Sequence, residues 1–148
     1  MTEENLNIEH SITINAAPER VWLFLTEPEY VAQWLGCMRY EKRIDHVFYM
    51  QQDEARRNND DIEGATHCRI LALDEAARFA FSWFLPGTPE TEVSITLEKR
   101  DDNTLVTLTH TGWDQFDAAA IREIRDALEG GWKSFVLPNL KRVAESGN

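Results

Sequence analysis

The two ends of this 148-residue chain constrain its fold more than any motif between them. It opens on an alternating run, Ile8-Glu-His-Ser-Ile-Thr-Ile14, with the period of a half-buried strand, and passes at once into a helical stretch, Ala17-Pro-Glu-Arg-Val-Trp-Leu-Phe-Leu-Thr-Glu-Pro-Glu-Tyr-Val-Ala-Gln-Trp34. It closes on a long amphipathic helix. There Ile121, Ile124, Leu128, Trp132, Phe135 and Val143 recur mostly at three- and four-residue steps. At roughly 100° per residue such steps build one apolar stripe. From Cys37 to Gly112 the period changes to two, as in an antiparallel sheet. A curved sheet gripping one long helix encloses an apolar cavity, so this order of elements points to a small-molecule carrier or sensor more than to a catalyst.

Local signals place the boundaries. Pro18 and Glu19 suit the first turn of a helix whose apolar positions are Val21, Trp22 and Leu25. Thr26-Glu-Pro-Glu ends it and starts a second, with Tyr30, Val31, Trp34 and Leu35 on one face and Gly36 as a C-cap. Strands are expected over 37–44, 46–52, 65–74, 77–85, 91–99 and 104–111, with 51–64 as a polar hairpin loop. Phe79, Phe81 and Trp83 share a face, as do Val93, Ile95 and Leu97, and Val106 and Leu108. Ser94, Thr96, Thr107 and Thr109 fall on the opposite side, the pattern of a sheet with one wet and one covered face. Asp114 or Asp117 can cap the last helix. Gly130 and Gly131 lie at the edge of its stripe, permitting close approach or leaving space. Pro138 is expected to bend it, and Asn139 falls near the stripe's centre, where an amide needs a partner, water or a ligand.

The whole chain, 1–148, reads as one domain with no internal repeat or linker. A net charge of −11 disfavours nucleic acid and anionic membrane surfaces as partners, and leaves a basic protein partner open. No apolar run approaches the roughly 18 residues of a membrane span. The acidic, polar N-terminus is no secretory signal, so cytoplasmic residence is the default. Cys37 and Cys68 lack any metal-binding or redox spacing and read as reduced, partly buried thiols.

Four stretches, taken in order, carry a family resemblance. They are Ile12-Thr-Ile-Asn-Ala-Ala-Pro-Glu-Arg-Val-Trp22 and Leu25-Thr-Glu-Pro-Glu-Tyr-Val-Ala-Gln-Trp34, then Glu92-Val-Ser-Ile-Thr-Leu-Glu98 with Thr104-Leu-Val-Thr-Leu-Thr-His-Thr-Gly112, and Gly131-Trp-Lys-Ser-Phe-Val-Leu137. Together they resemble the START and birch-pollen-allergen superfamily, the helix-grip or SRPBCC fold. Within it they resemble the family of activator of heat-shock-protein-90 ATPase homologue 1-like proteins. The resemblance implies an α+β fold: a seven-stranded antiparallel sheet wrapped around a long C-terminal helix, with two short helices between strands 1 and 2. It implies function only loosely, since superfamily members carry lipids, polyketides or hormones and some catalyse cyclisation or dehydration. The family name comes from a eukaryotic co-chaperone in which a related domain accompanies a second, larger one; only the one domain is expected over residues 1–148. Family members often have a glycine-rich turn after the second helix. Here Met38-Arg-Tyr-Glu-Lys-Arg-Ile-Asp45 follows, so the cavity mouth is expected to differ.

Among candidate site residues, His110 continues the Val106 and Leu108 phase. It is either an acid/base or ligand hydrogen-bond partner, or a core histidine satisfied by backbone or water. His10 shares the apolar phase of its strand, and His46 and His67 show no paired spacing. No metal or cofactor is expected. Phe81, Trp83, Leu108, Leu128, Trp132 and Phe135 would line the cavity, His110 and Asn139 would orient a polar group, and Arg39, Tyr40 and Tyr49 would sit at its mouth. No nucleophile motif appears. Three functions stay open: binding of a small hydrophobic molecule, a protein-interaction module related to chaperone-ATPase regulators in stress response, and a cyclase- or dehydratase-type enzyme. The assembly is expected to be a monomer or homodimer.

Overall fold

The alternating stretches build one antiparallel sheet, and the helical stretches pack on one side of it. The computed structural model describes residues 8–35, 37–51, 53–84, 90–112, 126 and 130–146, with the backbone alone for 32–35, 134, 135 and 146. In chain order the elements are β1 (Ile8–Ile14), α1 (Pro18–Thr26), α2 (Pro28–Leu35), β2 (Cys37–Met38), β3 (Val47–Met50), α3 (Glu54–Asn58), β4 (Thr66–Asp74), β5 (Arg78–Phe84), β6 (Thr91–Arg100) and β7 (Asn103–Thr111). A π-turn over Trp132–Val136 then leads into α4 (Leu137–Ser146). Among the described residues no helix is long and apolar enough to cross a membrane.

The seven strands follow the order β1-β7-β6-β5-β4-β3-β2, and every pairing is antiparallel. Because side chains alternate across a strand, the registers sort residues into rows. One inner row runs Ile70–Phe81–Val93–His110–Ile8 across five strands, and the next runs Leu73–Phe79–Ile95–Leu108–His10. The outer face is polar. There Arg78 donates to Ser94 and Glu92, and the Ser11 and Thr107 hydroxyls bond at 3.0 Å.

Two expected strands are shorter than their sequence pattern. Residues 39–46 leave the sheet because Arg39 and Asp45 take left-handed backbone angles, φ 57° and 69°. His46 fixes the loop they bound, bonding the Arg39 carbonyl through Nε2 at 2.6 Å and the Arg43 guanidinium through Nδ1 at 3.1 Å. The polar stretch expected as a plain hairpin loop contains a short helix, α3. Asp53 caps it by accepting from the backbone N–H groups of Ala55 and Arg56. Arg56 reaches Asp61 and Glu63, and Arg57 donates to the Gln51 carbonyl.

The last helix departs from the expected regular stripe. The Leu137 N–H bonds the Trp132 carbonyl, a step of five residues where an α-turn has four. That extra residue advances the buried face by one position. The residue sharing a face with Trp132 two turns on is therefore Leu140, fully buried, and not Asn139, which is only half-buried. Pro138 lies exposed at the second position of α4, where a missing N–H costs least, so the interruption takes the form of a π-turn just before it. A Cβ built on Gly130 or Gly131 meets nothing within 4 Å, so these glycines leave space and do not mark a close approach. This register predicts that Leu140→Ala lowers unfolding free energy by about 2–5 kcal/mol, as for a buried leucine. Asn139→Ala should cost less than about 1 kcal/mol. Chemical denaturation of the two variants checks this, and the reverse ranking would restore an uninterrupted α-helix.

Candidate functional site

The inner face of the sheet is apolar and aromatic. Phe48, Phe79 and Phe81 are fully buried, and their rings meet edge-on or tilted, Phe48 to Phe81 at 5.5 Å and Phe79 to Phe81 at 5.4 Å. Trp83 and Leu108 lie on the same face, and Trp132 from the π-turn is buried against its upper end. Phe81, Trp83, Leu108, His110 and Trp132 are thus brought together. Asn139 lies apart on the flank of α4; Leu128 and the Phe135 side chain fall outside the described residues.

One polar cluster interrupts this surface. His110 sits between Val93 and Ile8 in a row whose other members are all fully buried. The Trp132 indole is 3.2 Å from His110 Nδ1, and Thr91 Oγ1 is 2.7 Å from His110 Nε2 and 2.7 Å from the Trp83 carbonyl oxygen. These distances fix every direction. An indole N–H only donates, so Nδ1 accepts and the imidazole proton resides on Nε2. Nε2–H then donates to Thr91 Oγ1, whose own proton goes to the Trp83 carbonyl. A single chain of hydrogen bonds runs from the last helix through β7 and β6 to β5. The His110 ring also packs edge-on to Trp83 at 5.3 Å and to Trp132 at 6.1 Å.

Thr91 was not among the residues expected at the site. It lies in the Val93, Ile95, Leu97 phase, and a hydroxyl on a buried face is the signal that could have found it. The residues expected at a cavity mouth separate. Tyr40 turns inward, packs on Phe48 and donates to the Thr26 carbonyl at 2.5 Å. Arg39 pairs with Asp60 and covers the Tyr49 ring on the outer side, where Tyr49 packs on His67. His10 is half-buried opposite Leu108. The thiols of Cys37 and Cys68 are free, and burial pushes them up, to about 12 for Cys37 and well above the ordinary value for Cys68. Both are therefore protonated and unreactive near neutral pH. Among the described residues no three His, Cys, Asp or Glu side chains converge as a metal site would need. Two open grooves are lined by described residues. One, of ≈ 340 Å³, lies on the outer face around Arg69, Ser82 and Glu92; the other, of ≈ 560 Å³, lies beside α1 between Trp22, Leu23 and Lys42.

The family model for activator of Hsp90 ATPase homolog 1-like proteins matches residues 15–145. The chain belongs to that family. No curated protein sequence matches it. Among solved structures it is similar to protein MLL2253 from Mesorhizobium loti, with 19% identity, TM-score 0.78, and 96% of this chain and 98% of that one covered. It is also similar to the Aha1 dimer from Colwellia psychrerythraea, with 22% identity, TM-score 0.67, and 96% and 98% covered. DynU16, described as a putative protein in the dynemicin biosynthetic locus, matches with 21% identity and TM-score 0.76. The match takes in 98% of this chain and 49% of DynU16, so this chain spans about half of that relative. At these identities the likeness establishes the shared helix-grip fold.

The electrostatics of this family member's inner face centre on His110. Burial alone pulls its pKa down from 6.5 to about 3. Between those values the unfolded chain binds a proton that the folded chain does not. Stability contributed by the neutral imidazole is thus complete above pH 6.5 and is lost as pH falls toward 3, by at most about 1.4 kcal/mol per pH unit. Unfolding free energies measured from neutral to acidic pH should fall less steeply in His110→Gln than in the parent. Parallel slopes would mean that the histidine titrates alike in both states.

Proposed function

We propose that this protein binds a small apolar molecule between the inner face of the sheet and the last helix. The observation that carries the proposal is the composition of that face: large aromatic and aliphatic side chains around one polar cluster whose hydrogen bonds are directed inward to the protein. Such a surface recognises by area and shape, with few oriented polar contacts. Phe81, Trp83, Leu108 and Trp132 supply area, Leu128 and Phe135 are added from their spacing in the sequence alone, and Asn139 stands apart on the flank of α4.

Binding is favoured over catalysis by the state of His110. A conjugate acid with a pKa of about 3 is absent at neutral pH, and the lone pair on Nδ1 is engaged by Trp132. His110 then serves the ligand indirectly, by holding the indole against the sheet. Native mass spectrometry of freshly purified protein, followed by denaturing extraction, identifies any co-purified molecule. An anilinonaphthalene sulfonate dye, titrated while tryptophan fluorescence is followed, locates the site. Leu108→Trp fills the inner face and should weaken dye binding about tenfold, or 1.4 kcal/mol. Thr107→Trp, on the outer face of the same strand, should leave it unchanged. Equal affinities in these two folded variants would refute the proposed location.

A further inference from the structure

The outer corner of the sheet at β3 and β4 combines features found nowhere else among the described residues. Among the described residues four large hydrophobic side chains are exposed, Leu23, Ile44, Val47 and Leu71, and the last three lie in this corner. Ile44 is 47% exposed, Val47 42% and Leu71 36%. Val47 pairs with Arg69, while the Asp45 N–H bonds the Ile70 carbonyl and the Ile70 N–H bonds the His46 carbonyl, so 44–47 runs alongside 69–71. Exposed apolar side chains scattered singly need no explanation; a contiguous group does.

Charge says what covers it. Residues 37–70 carry six Lys and Arg against seven Asp and Glu, leaving nine and nineteen of the chain's 15 and 26 for all the rest. This stretch is therefore close to neutral on a strongly acidic protein, and Glu90 and Glu92 border it beside Arg69 and Leu71. Residues 113–148 carry five against six, so the excess negative charge lies on 1–36 and 71–112, and this stretch is one of two where two copies can meet without strong net repulsion. It is also self-complementary. Asp45 and Arg69 are both exposed, both flank Val47, and neither forms an ion pair within the chain among the described residues. A two-fold interface brings a patch onto its own copy, so that a carboxylate of one copy can meet a cation of the other in both directions at once.

We propose that a second copy of this chain docks on the β3–β4 corner, with Ile44, Val47 and Leu71 at the centre and Asp45 facing Arg69 of the other copy. Sedimentation velocity across a concentration series should show a dimer that Val47→Glu abolishes. Leu71→Glu should do the same, while thermal unfolding shows both variants folded. Asp45→Arg and Arg69→Asp should each weaken the dimer about tenfold or more, and the double exchange in one chain should restore it, since both pairs are then reversed together. A monomer at every concentration overturns the proposal. So does a dimer that survives Val47→Glu and Leu71→Glu, or a double exchange no better than the single ones.

Discussion

The hydrogen bond from the Trp132 indole to His110 is the contact on which the arrangement of helix and sheet depends. It places a donor-only group of the helix against the one titratable side chain of a fully buried row. An imidazole there without partners would carry a desolvation penalty of about 1–3 kcal/mol for each unsatisfied group. With Trp132 on one nitrogen and Thr91 on the other, the same ring becomes a strut with a fixed tautomer. The position of the helix, the neutrality of the histidine and the apolar character presented to a ligand then share one cause. The polar atoms of His110 and Thr91 on the inner face direct their bonding capacity along the chain from Trp132 to the Trp83 carbonyl.

A second set of contacts holds the other end of the helix. Lys141 Nζ donates to the Thr13 carbonyl, the Asn15 N–H donates to Glu145, and Arg20 Nε donates to the Ala144 carbonyl. Lys141 bonded to Glu145, with the Asn15 N–H beside it, holds that carboxyl below its ordinary pKa. One of them, Lys141 to the Thr13 carbonyl, falls on β1, an edge strand of the sheet. The π-turn lies between the two anchors. It lets Trp132 reach His110 while Leu140, Val143 and Ala144 stay buried beyond it.

Much of this was written in the period of the sequence. Phe79, Phe81 and Trp83, Val93 and Ile95, and Val106, Leu108 and His110 were placed on one face by alternation alone, and all are buried there. The resemblance supplied the seven-stranded antiparallel sheet and the gripping helix. What alternation did not reveal depends on contacts between distant residues or on unusual backbone angles. Strands β2 and β3 stop short because two non-glycine residues, Arg39 and Asp45, turn left-handed under the hold of His46. α3 owes its five residues to carboxylates several positions downstream that bind Arg56. Asn139 was expected at the stripe's centre because a count of 100° per residue does not allow for a five-residue turn. His110 stands out in the sequence as polar in an apolar phase, yet its contacts are with Thr91 and Trp132, 19 and 22 residues away.

The most direct test is long-range proton–nitrogen correlation NMR of the His110 side chain in the folded protein. The account predicts a single neutral tautomer with the proton on Nε2 and a hydrogen-bonded, unprotonated Nδ1, unchanged well below pH 6.5. A proton on Nδ1, or a ring that charges near pH 6.5, would contradict the strut and the proposed apolar recognition built on it.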